Sequence, residues 1–335
     1  MVSIKEVAER AGVSCSTVSR LLAGKLAVKE ETRARVMRAV EELDYKPSLM
    51  AKSLRSGESR LLGFIIPNIE RPFYPKVMKH LEELAYAKGY SIILCDASES
   101  TEKESEFLQT LIGLRVDGVV FLPATEETGH ILPFVGKLPI VVINRKFDIG
   151  LPCVLGDDDD GGYCAGLHLC RLGHRRIACV IDSRKRRYNL DRYEGFCRAM
   201  RENGIEDFER YAVRDVKVPE DVPGRIRPML EGAQRPTAVF AFDDTLAYGV
   251  YQAAHEAGLR VPEDLSVVGY DDLPFSRYMI PPLDSYSVPY KEINKAALSI
   301  LLEEIVEKKG PEGKSIRVSG ELIVRGSAAA QGPRP

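Results

Sequence analysis

A short segment near the N-terminus carries side chains that suit contacts with nucleic acid. Residues 15–20, CSTVSR, place a thiol, hydroxyl groups and a guanidinium group within two helical turns. Arginine donates paired hydrogen bonds to guanine, and serine and threonine hydroxyls bond to phosphates or base edges. At the start of a helix that enters the major groove, Cys15, Ser16, Thr17 and Arg20 would therefore contact DNA.

A second set of polar side chains follows apolar runs that are typical of β-strands. In an open parallel sheet, ligands bind beyond the carboxyl ends of the strands. Carboxylate and amide oxygens there accept hydrogen bonds from ligand hydroxyl or amine groups. Each residue taken singly also suits a helix cap or a turn, but the whole set favours a shared cleft. The set includes Asn68, Asn144, Arg145, Asp157, Asp182, Asp243, Asp244, Asp271 and Asp272.

The sequence lacks the motifs of common catalytic and metal-binding arrangements. Its seven cysteines include no C-x-x-C pair, and its five histidines do not supply the spacing of zinc ligands. Phosphate-binding, dinucleotide-binding and nucleophile-elbow motifs are also missing. We predict no catalytic residue, no metal and no cofactor. The scattered acids leave an enzyme on a two-lobed scaffold as an alternative, and the cysteines in apolar runs predict buried free thiols.

Three predicted helices would position the first set of residues. The apolar side chains of residues 4–11 share one helical face, and Ser3 with Glu6 forms a capping box. A glycine ends this helix, a second helix begins near Cys15, and a third spans residues 30–44. Two helices joined by a glycine-containing turn, with a third behind, predict a helix-turn-helix. A three-helix bundle with no DNA role is the alternative.

Alternating strands and helices would position the second set. Such alternation predicts parallel sheets that helices cover on both faces. The order of elements restarts near residue 176, which predicts two similar α/β halves. The predicted strands are 61–66, 91–95, 117–123, 140–144, 176–181, 237–242 and 265–270, and the predicted helices include 74–88, 102–114, 192–203 and 245–257.

The charge of the chain is divided unevenly between these parts. The net charge is −2 overall, but it is +4 in residues 1–60 and −6 in the rest. A basic head on an acidic body indicates a nucleic-acid-binding end, whereas an even distribution would argue against one. A chance fluctuation on a solvated surface would give the same count.

The head resembles the DNA-binding domain of the lactose-repressor/galactose-repressor (LacI/GalR) family. The resemblance rests on VSIKEVAERAGVSCSTVSRLLAG and ETRARVMRAVEELDYKP. It implies a bacterial transcriptional regulator that binds double-stranded operator DNA. Ala23 stands where asparagine is usual, and Lys29 stands where serine commonly caps the third helix. The predicted DNA contacts in the head are Ser3, Ser14, Cys15, Ser16, Thr17, Ser19 and Arg20.

Residues 48–57 form a short segment between a proline and a glycine. A lone helix of this length is marginal in water, so a flexible linker is one interpretation. The family resemblance implies instead a hinge helix that folds on operator DNA and wedges a leucine into the minor groove. The matching positions are Ala51, Leu54 and Arg55. An apolar wedge of this kind unstacks a base step and bends the duplex.

The body resembles the periplasmic-binding-protein-like effector domain of the same family. The matching pieces include NIERPFY, RVDGVVFLPA, RPTAVFAFDDTLAYG and GLRVPEDLSVVGYDD. The resemblance implies a small metabolite, such as a sugar or nucleobase, bound between the two halves. The residues expected to bind it are Phe73, Asn144, Arg145, Asp157, Arg192, Asp243 and Asp271.

Two substitutions in the body depart from the family pattern, and a basic run is a third feature of interest. Asp243 replaces a usual asparagine, and Asp284-Ser285 replaces a common Thr-Thr, which together predict a more acidic pocket. The basic run 184–187 instead favours a ligand with a phosphate or carboxylate group, unless this run is a solvated loop. The identity of the effector, and whether it induces or corepresses, stay open.

The expected protein is a small all-α helix-turn-helix head on an α/β body of two doubly wound parallel-sheet subdomains. We expect residues 1–47 to form the DNA-binding domain, 48–60 the hinge and linker, and 61–335 the effector-binding and dimerisation domain. Subdomain one would span about 61–158 and 287–319, and subdomain two about 159–286 and 320–330.

The resulting prediction is a homodimeric, allosteric repressor on a roughly palindromic operator. Dimer contacts would run through the body, with the helix 74–88 prominent. We expect a cytoplasmic protein with no membrane partner, because no apolar run approaches 20 residues and the N-terminus is charged. A transport binding protein is the rival interpretation, which the head and the free thiols oppose.

Overall fold

The computed structural model describes residues 2–22, 28–45, 58–182, 186–307 and 313–331. The contacts divide the chain into two units, residues 1–60 and 61–335. The sequence motifs for the head fall in the first unit, and the alternating strands and helices fall in the second.

The described residues of the first unit, 2–22, 28–45 and 58–60, include three helices around a small apolar core. They are α1 (Ile4–Ala11), α2 (Cys15–Leu22) and α3 (Glu30–Glu42). The capping box is confirmed, since the Ser3 hydroxyl accepts from the Glu6 backbone and the Glu6 carboxylate accepts from the Ser3 backbone. Lys29 makes no side-chain cap on α3, as its residue type predicts. The core consists of Val7, Ala8, Ala11, Val18, Val36, Ala39 and Tyr45.

The second unit is built on two six-stranded sheets. The first sheet is parallel throughout, in the order β11-β5-β4-β3-β1-β2. Its strands are β1 (Leu61–Ile66), β2 (Ser91–Asp96), β3 (Gly118–Phe121), β4 (Ile140–Ile143), β5 (Cys153–Gly156) and β11 (Ser315–Val318). These runs are largely branched and buried, as strands covered on both faces require.

The second sheet has the order β12-β10-β9-β8-β6-β7, and only β12 is antiparallel to its neighbour. Its strands are β6 (Ile177–Asp182), β7 (Ala212–Val216), β8 (Ala238–Ala241), β9 (Ser266–Tyr270), β10 (Asp284–Ser287) and β12 (Glu321–Ile323). The chain therefore passes between the sheets after β5, after β10 and after β11. The two-sheet α/β architecture expected from the sequence is confirmed.

Seven further helices cover the two sheets. They are α4 (Phe73–Ala87), α5 (Thr101–Gly113), α6 (Asp158–Arg171), α7 (Arg187–Glu202), α8 (Asp221–Leu230), α9 (Asp244–Glu256) and α10 (Tyr290–Glu307). None of the helices in the described ranges is long and apolar enough to cross a bilayer. Five of the seven cysteines are buried free thiols, whereas Cys15 is exposed and Cys164 is half-buried.

Several element boundaries differ from those expected. The third helix ends at Glu42 rather than at Asp44, because Asp44 has a left-handed φ of 43° that stops the helix. Helix α7 begins at Arg187, five residues before the expected start. The edge strands β7, β11 and β12 were not expected, since their partly exposed residues lack the continuous apolar run of a central strand.

Candidate functional site

The start of α2 presents a network of hydroxyl groups at the surface of the head. The Ser14 hydroxyl lies 2.7 Å from the Ser16 hydroxyl and 2.8 Å from the Thr17 hydroxyl, and it accepts from the Thr17 backbone at 3.1 Å. Ser14 thus caps α2 as Ser3 caps α1. Cys15 and Arg20 are exposed beside this network.

The predicted DNA contacts differ in how the structure presents them. Ser3, Ser14, Cys15, Ser16 and Arg20 are exposed, while Thr17 and Ser19 are half-buried. The predicted hinge contacts Ala51, Leu54 and Arg55 lie outside the described residues.

A cavity of about 730 Å³ opens between the carboxyl ends of the two sheets. Its volume falls in the range of small-molecule sites, roughly 300–1,000 Å³. The structure brings six of the seven expected effector residues into its wall. They are Phe73, Asn144, Arg145, Arg192, Asp243 and Asp271.

The seventh expected residue, Asp157, does not line the cavity, and the neighbouring Asp158 does. Asp157 is the N-cap of α6, where its carboxylate accepts from the Asp160 backbone at 3.4 Å. It also lies 3.4 Å from the guanidinium group of Arg317 and from the Ser319 hydroxyl. A capping carboxylate turns back towards its own helix, so the next residue faces the cavity.

Arg192 is held in the wall by acceptors of the protein itself. One terminal nitrogen lies 2.6 Å from the Asp158 carboxylate, and the other donates to the Phe242 carbonyl oxygen. Its guanidinium group stacks on the ring of Tyr270, 3.3 Å from the ring centre. Its buried Nε has no hydrogen-bond partner among the described residues.

Close packing of α6 against α7 puts Arg192 beside Asp158. A Cβ atom at Gly162 would overlap the Arg192 carbonyl, and one at Gly195 would overlap the Asp159 carbonyl. Only glycine permits this approach, and the approach places the α7 guanidinium group next to the first turn of α6.

The floor of the cavity on the second sheet carries three carboxylates. Asp182, Asp243 and Asp271 follow the neighbouring strands β6, β8 and β9. Burial, and then the nearby Asp243, raise the pKa of Asp182 to about 7. Burial likewise raises the pKa of Asp271 to about 6, although Arg192 draws it down. Both pKa shifts have the same physical causes, which are burial and the nearby carboxylate of Asp243.

Aromatic rings form another part of the wall. Phe73 packs edge-on against Tyr74 and Tyr290, with ring centres 4.9 Å apart in both pairs. Tyr188 lies 5.4 Å from the guanidinium group of Arg145 and 5.7 Å from that of Arg192. Sequence reasoning missed Tyr188 and Tyr290, since neither follows an expected strand and neither stands in a distinctive motif.

Polar contacts join the two sheets across the mouth and base of the cavity. Arg186 forms an ion pair with Glu99, and the Arg187 backbone donates to Glu126 at 3.1 Å. The Lys76 ammonium donates to the backbone carbonyls of Asp271 and Asp272 at 2.8 and 2.6 Å. These contacts link the two sheets on opposite sides of the cavity.

Two interpretations of charge in the body need correction. Asp284 does not add to the acidity of the pocket, because it is fully buried away from the cavity and accepts three backbone N–H groups of residues 325–327. Of the basic run 184–187, Arg186 is buried and paired with Glu99, and Arg187 pairs with Asp191. Residues 184 and 185 lie outside the described residues.

Comparison with known proteins identifies both units. Residues 3–48 match "Bacterial regulatory proteins, lacI family", and residues 167–328 match "Periplasmic binding protein-like domain". The HTH-type transcriptional repressor PurR of Proteus mirabilis is 36% identical over 334 residues, covering 98% of this chain and 97% of the relative. PurR of Serratia proteamaculans is 35% identical over the same span.

Solved structures of regulators share the fold over the whole chain. The lac repressor dimer bound to operator and the anti-inducer ONPF aligns with a TM-score of 0.85 at 25% identity, covering 98% of this chain and 99% of the other. A complex of the transcriptional regulator CelR with cellobiose aligns with a TM-score of 0.70 at 26% identity, covering 98% and 100%. This chain is a DNA-binding transcriptional regulator, and it belongs to the lacI family of bacterial regulatory proteins.

Proposed function

We propose that this protein represses transcription by binding a roughly palindromic operator as a homodimer, and that a small metabolite in the cleft controls this binding. The observation that carries the proposal is the cavity itself. Six residues expected to contact an effector, contributed by both sheets, meet around about 730 Å³ of space. A ligand held by both sheets favours one angle between them, which couples occupancy to the shape of the body.

The proposed subdomains follow the two sheets. Subdomain one, about 61–158 and 287–319, contains the strands of the first sheet, and subdomain two, about 159–286 and 320–330, contains those of the second. Residues 1–47 would bind DNA and residues 48–60 would form the hinge. The effector would alter the angle between subdomains and so favour or prevent ordering of the hinge on the operator.

A sugar or sugar derivative is the effector class that the wall favours. Aromatic faces such as Phe73 pack against the apolar face of a sugar ring, and carboxylates such as Asp271 accept from its hydroxyl groups. Relatives solved with cellobiose and with ribose support this class. We propose no catalytic role, and we place the protein in the cytoplasm, where the operator is.

The proposal is tested by mapping the sites that the protein occupies on its genome and then titrating the recovered duplex. We expect the observed affinity to fall steeply as salt rises from 50 to 200 mM, because binding releases counterions from the phosphates. Arg20→Ala should lose on the order of tenfold or more in affinity and relax base preference. Salt-independent binding, or equal binding to an unrelated duplex, would overturn the proposal.

A further inference from the structure

The three carboxylates on the floor of the cleft come from adjacent strands. Strand β8 lies between β6 and β9, so Asp243 follows the middle strand, with Asp182 and Asp271 on either side. Neighbouring strands are about 4.8 Å apart. Three carboxyl groups therefore face one cavity, with Asp243 about one strand spacing from each of the other two.

The cationic side chains in the wall do not neutralise this floor. Seven carboxylates and four cationic side chains line the cavity. Arg192 pairs with Asp158, Arg145 with Glu126, and Arg71 lies 3.7 Å from Glu99. Lys217 follows the edge strand β7, on the Asp182 side of the floor. The excess charge on the floor stays negative.

Two of the three carboxylates keep an oxygen for a ligand. The Asp243 Oδ1 accepts from the Leu246 backbone at 2.8 Å and from the Thr245 hydroxyl, and the Asp271 Oδ1 accepts from the Tyr290 hydroxyl at 3.0 Å. Within the part of the chain that the structure describes, no protein donor reaches the Oδ2 atom of either residue. These two oxygens belong to neighbouring carboxylates of the same charge, and a positively charged ligand group would reduce the repulsion between them.

We propose that the effector carries a protonated amine on a hydroxyl-bearing skeleton, as in an amino sugar, and that Asp243 and Asp271 hold the ammonium group. An ammonium group has three donors and one positive charge, which suits two carboxylates on neighbouring strands that each keep an oxygen for a ligand. A neutral sugar brings no charge to balance these carboxylates, whereas an ammonium group favours their ionised forms. This inference rests on the proposed function and names the ligand class of the same cleft.

Matched ligands test the inference on the full-length protein at pH 7. The panel is D-glucose, D-glucosamine and N-acetyl-D-glucosamine, the same three forms of galactose, and cellobiose beside its diamino counterpart. Calorimetry gives each Kd, and the unfolding temperature reports binding independently, since a ligand of the native state stabilises it. We expect each free amine to bind at least about tenfold more tightly than its hydroxyl and N-acetyl partners.

Asp243→Asn is the deciding variant. Asparagine keeps the oxygen that caps α9, so the fold is preserved while one charge is removed. We expect its preference for amines over hydroxyls to fall to within about threefold of unity. The matched control is Asp96→Asn, a strand-end aspartate on the other sheet that accepts from the Ser98 backbone at 3.0 Å and does not line the cavity. This control should keep the preference of the unaltered protein.

The pH dependence of the preference for amines over neutral sugars gives a second test of the inference. Asp271 faces Asp243, Arg192 of α7, Lys76 of α4 and Tyr290 of α10, and Asp182 faces Asp243, Arg71, Arg186 and Glu99. As pH falls from 7.5 to 5.5, these carboxylates take up protons and lose their attraction for an ammonium group. The preference for amines should therefore shrink, while the affinity of neutral sugars changes less.

Three results would overturn the inference. They are neutral sugars binding as tightly as their amines, no amine in the panel binding at 10 mM, and an unchanged preference in Asp243→Asn. Operator binding by the same preparation keeps the tests separate. A protein that binds its operator but prefers neutral sugars contradicts only this inference, whereas one that binds no operator contradicts the proposed function.

Discussion

Arg192 is oriented by the protein before any ligand arrives. Asp158, the Phe242 carbonyl and the ring of Tyr270 hold its guanidinium group, and Nε alone is left without a partner among the described residues. Ordering a side chain in advance lowers the entropy cost of binding. The same contacts also stabilise the fold. The contribution of Arg192 to effector binding therefore has to be separated by experiment from its contribution to stability.

We predict that Arg192→Ala abolishes the effector response and lowers the free energy of unfolding by about 1–3 kcal/mol, because the half-buried Asp158 carboxylate loses a charge-assisted hydrogen bond. The double variant Arg192→Met/Asp158→Asn removes the Asp158 charge as well, and we expect it to regain most of that stability. Thermal unfolding and operator titration with effector measure the two effects. An Arg192→Ala protein that keeps a full effector response would contradict the role of Arg192.

Asp284 gives the stability of the second sheet a pH dependence. Burial alone would raise its pKa, but the His168 imidazole, 3.4 Å from the carboxylate, and hydrogen bonds from the Gly326, Arg325 and Ser327 backbones outweigh burial and lower the pKa. A lowered pKa stabilises the fold at pH values above the unfolded pKa, about 3.9. This stabilisation is lost as pH falls through the folded pKa.

We predict that Asp284→Asn lowers the free energy of unfolding by roughly 2 kcal/mol at pH 6, because three backbone donors lose a charged acceptor. The difference from the unaltered protein should shrink below about pH 4, where the aspartate itself takes up a proton. Denaturant titrations between pH 6 and pH 3 measure this. A difference that stays constant over that range would show that the charge of Asp284 is not the cause.

The residues of the cleft were predictable to the extent that they follow strands. Asp243 and Asp271 come directly after apolar runs, and the topology of parallel sheets gathers such positions at one edge. Asp157 and Asp158 illustrate the limit, because the sequence does not say which of two adjacent aspartates caps the helix. Tyr290 lies at the start of α10, and only the tertiary fold brings it to the cavity.

At the scale of elements, α1 depends on its capping box. We predict that Ser3→Ala destabilises α1 by about 1 kcal/mol, because the backbone N–H of Glu6 loses its acceptor. Hydrogen exchange on the full-length protein should show about fivefold less protection in α1. Ser3→Asp keeps a capping oxygen and should keep the protection. Equal protection in Ser3→Ala would mean that packing alone fixes this helix.

For the segment 48–57 we predict that Leu54→Ala weakens operator binding by about tenfold or more, because an apolar wedge supports the bent duplex. Leu49→Ala removes the same atoms at another position of the segment and serves as the matched control. Duplex titration measures the first effect, and calorimetry with the effector should show no change. Unchanged operator affinity in Leu54→Ala would contradict the wedge.

Strands made of continuous apolar runs were predictable from the sequence, including the edge strand β2, whereas the interior strand β10 and the edge strands β7, β11 and β12 were not. Strands β1, β3, β4, β6, β8 and β9 are continuous apolar runs, since helices cover both of their faces. Strand β11 has the burial of an edge, with alternate residues exposed, and its sequence SIRV is too short an alternation to predict a strand with certainty from the sequence alone. Strand β12 pairs with β10 only because the chain returns to the second sheet after β11.

Three polar contacts near the cavity help to link the two sheets of the body. Lys76 bonds to the end of β9, Arg186 pairs with Glu99, and Tyr290 bonds to Asp271. Two of these three contacts involve Asp271, which also lines the cavity. A ligand that binds Asp271 therefore acts on the same point that joins the sheets, which is how occupancy would change their angle.

This arrangement predicts reciprocal coupling between the cleft and the operator. If the effector changes the operator Kd by some factor, the operator must change the effector Kd by the same factor, and roughly 5–150-fold is typical of allosteric proteins. The measurement uses the panel sugar that most raises the unfolding temperature. Operator affinity is titrated with and without that sugar, and sugar affinity is titrated with and without operator duplex. Asp96→Asn should reproduce both factors, since its carboxylate lies outside the cavity. A sugar that binds with micromolar affinity yet leaves the operator Kd unchanged would contradict allosteric control, because a ligand with equal affinity for two states shifts neither.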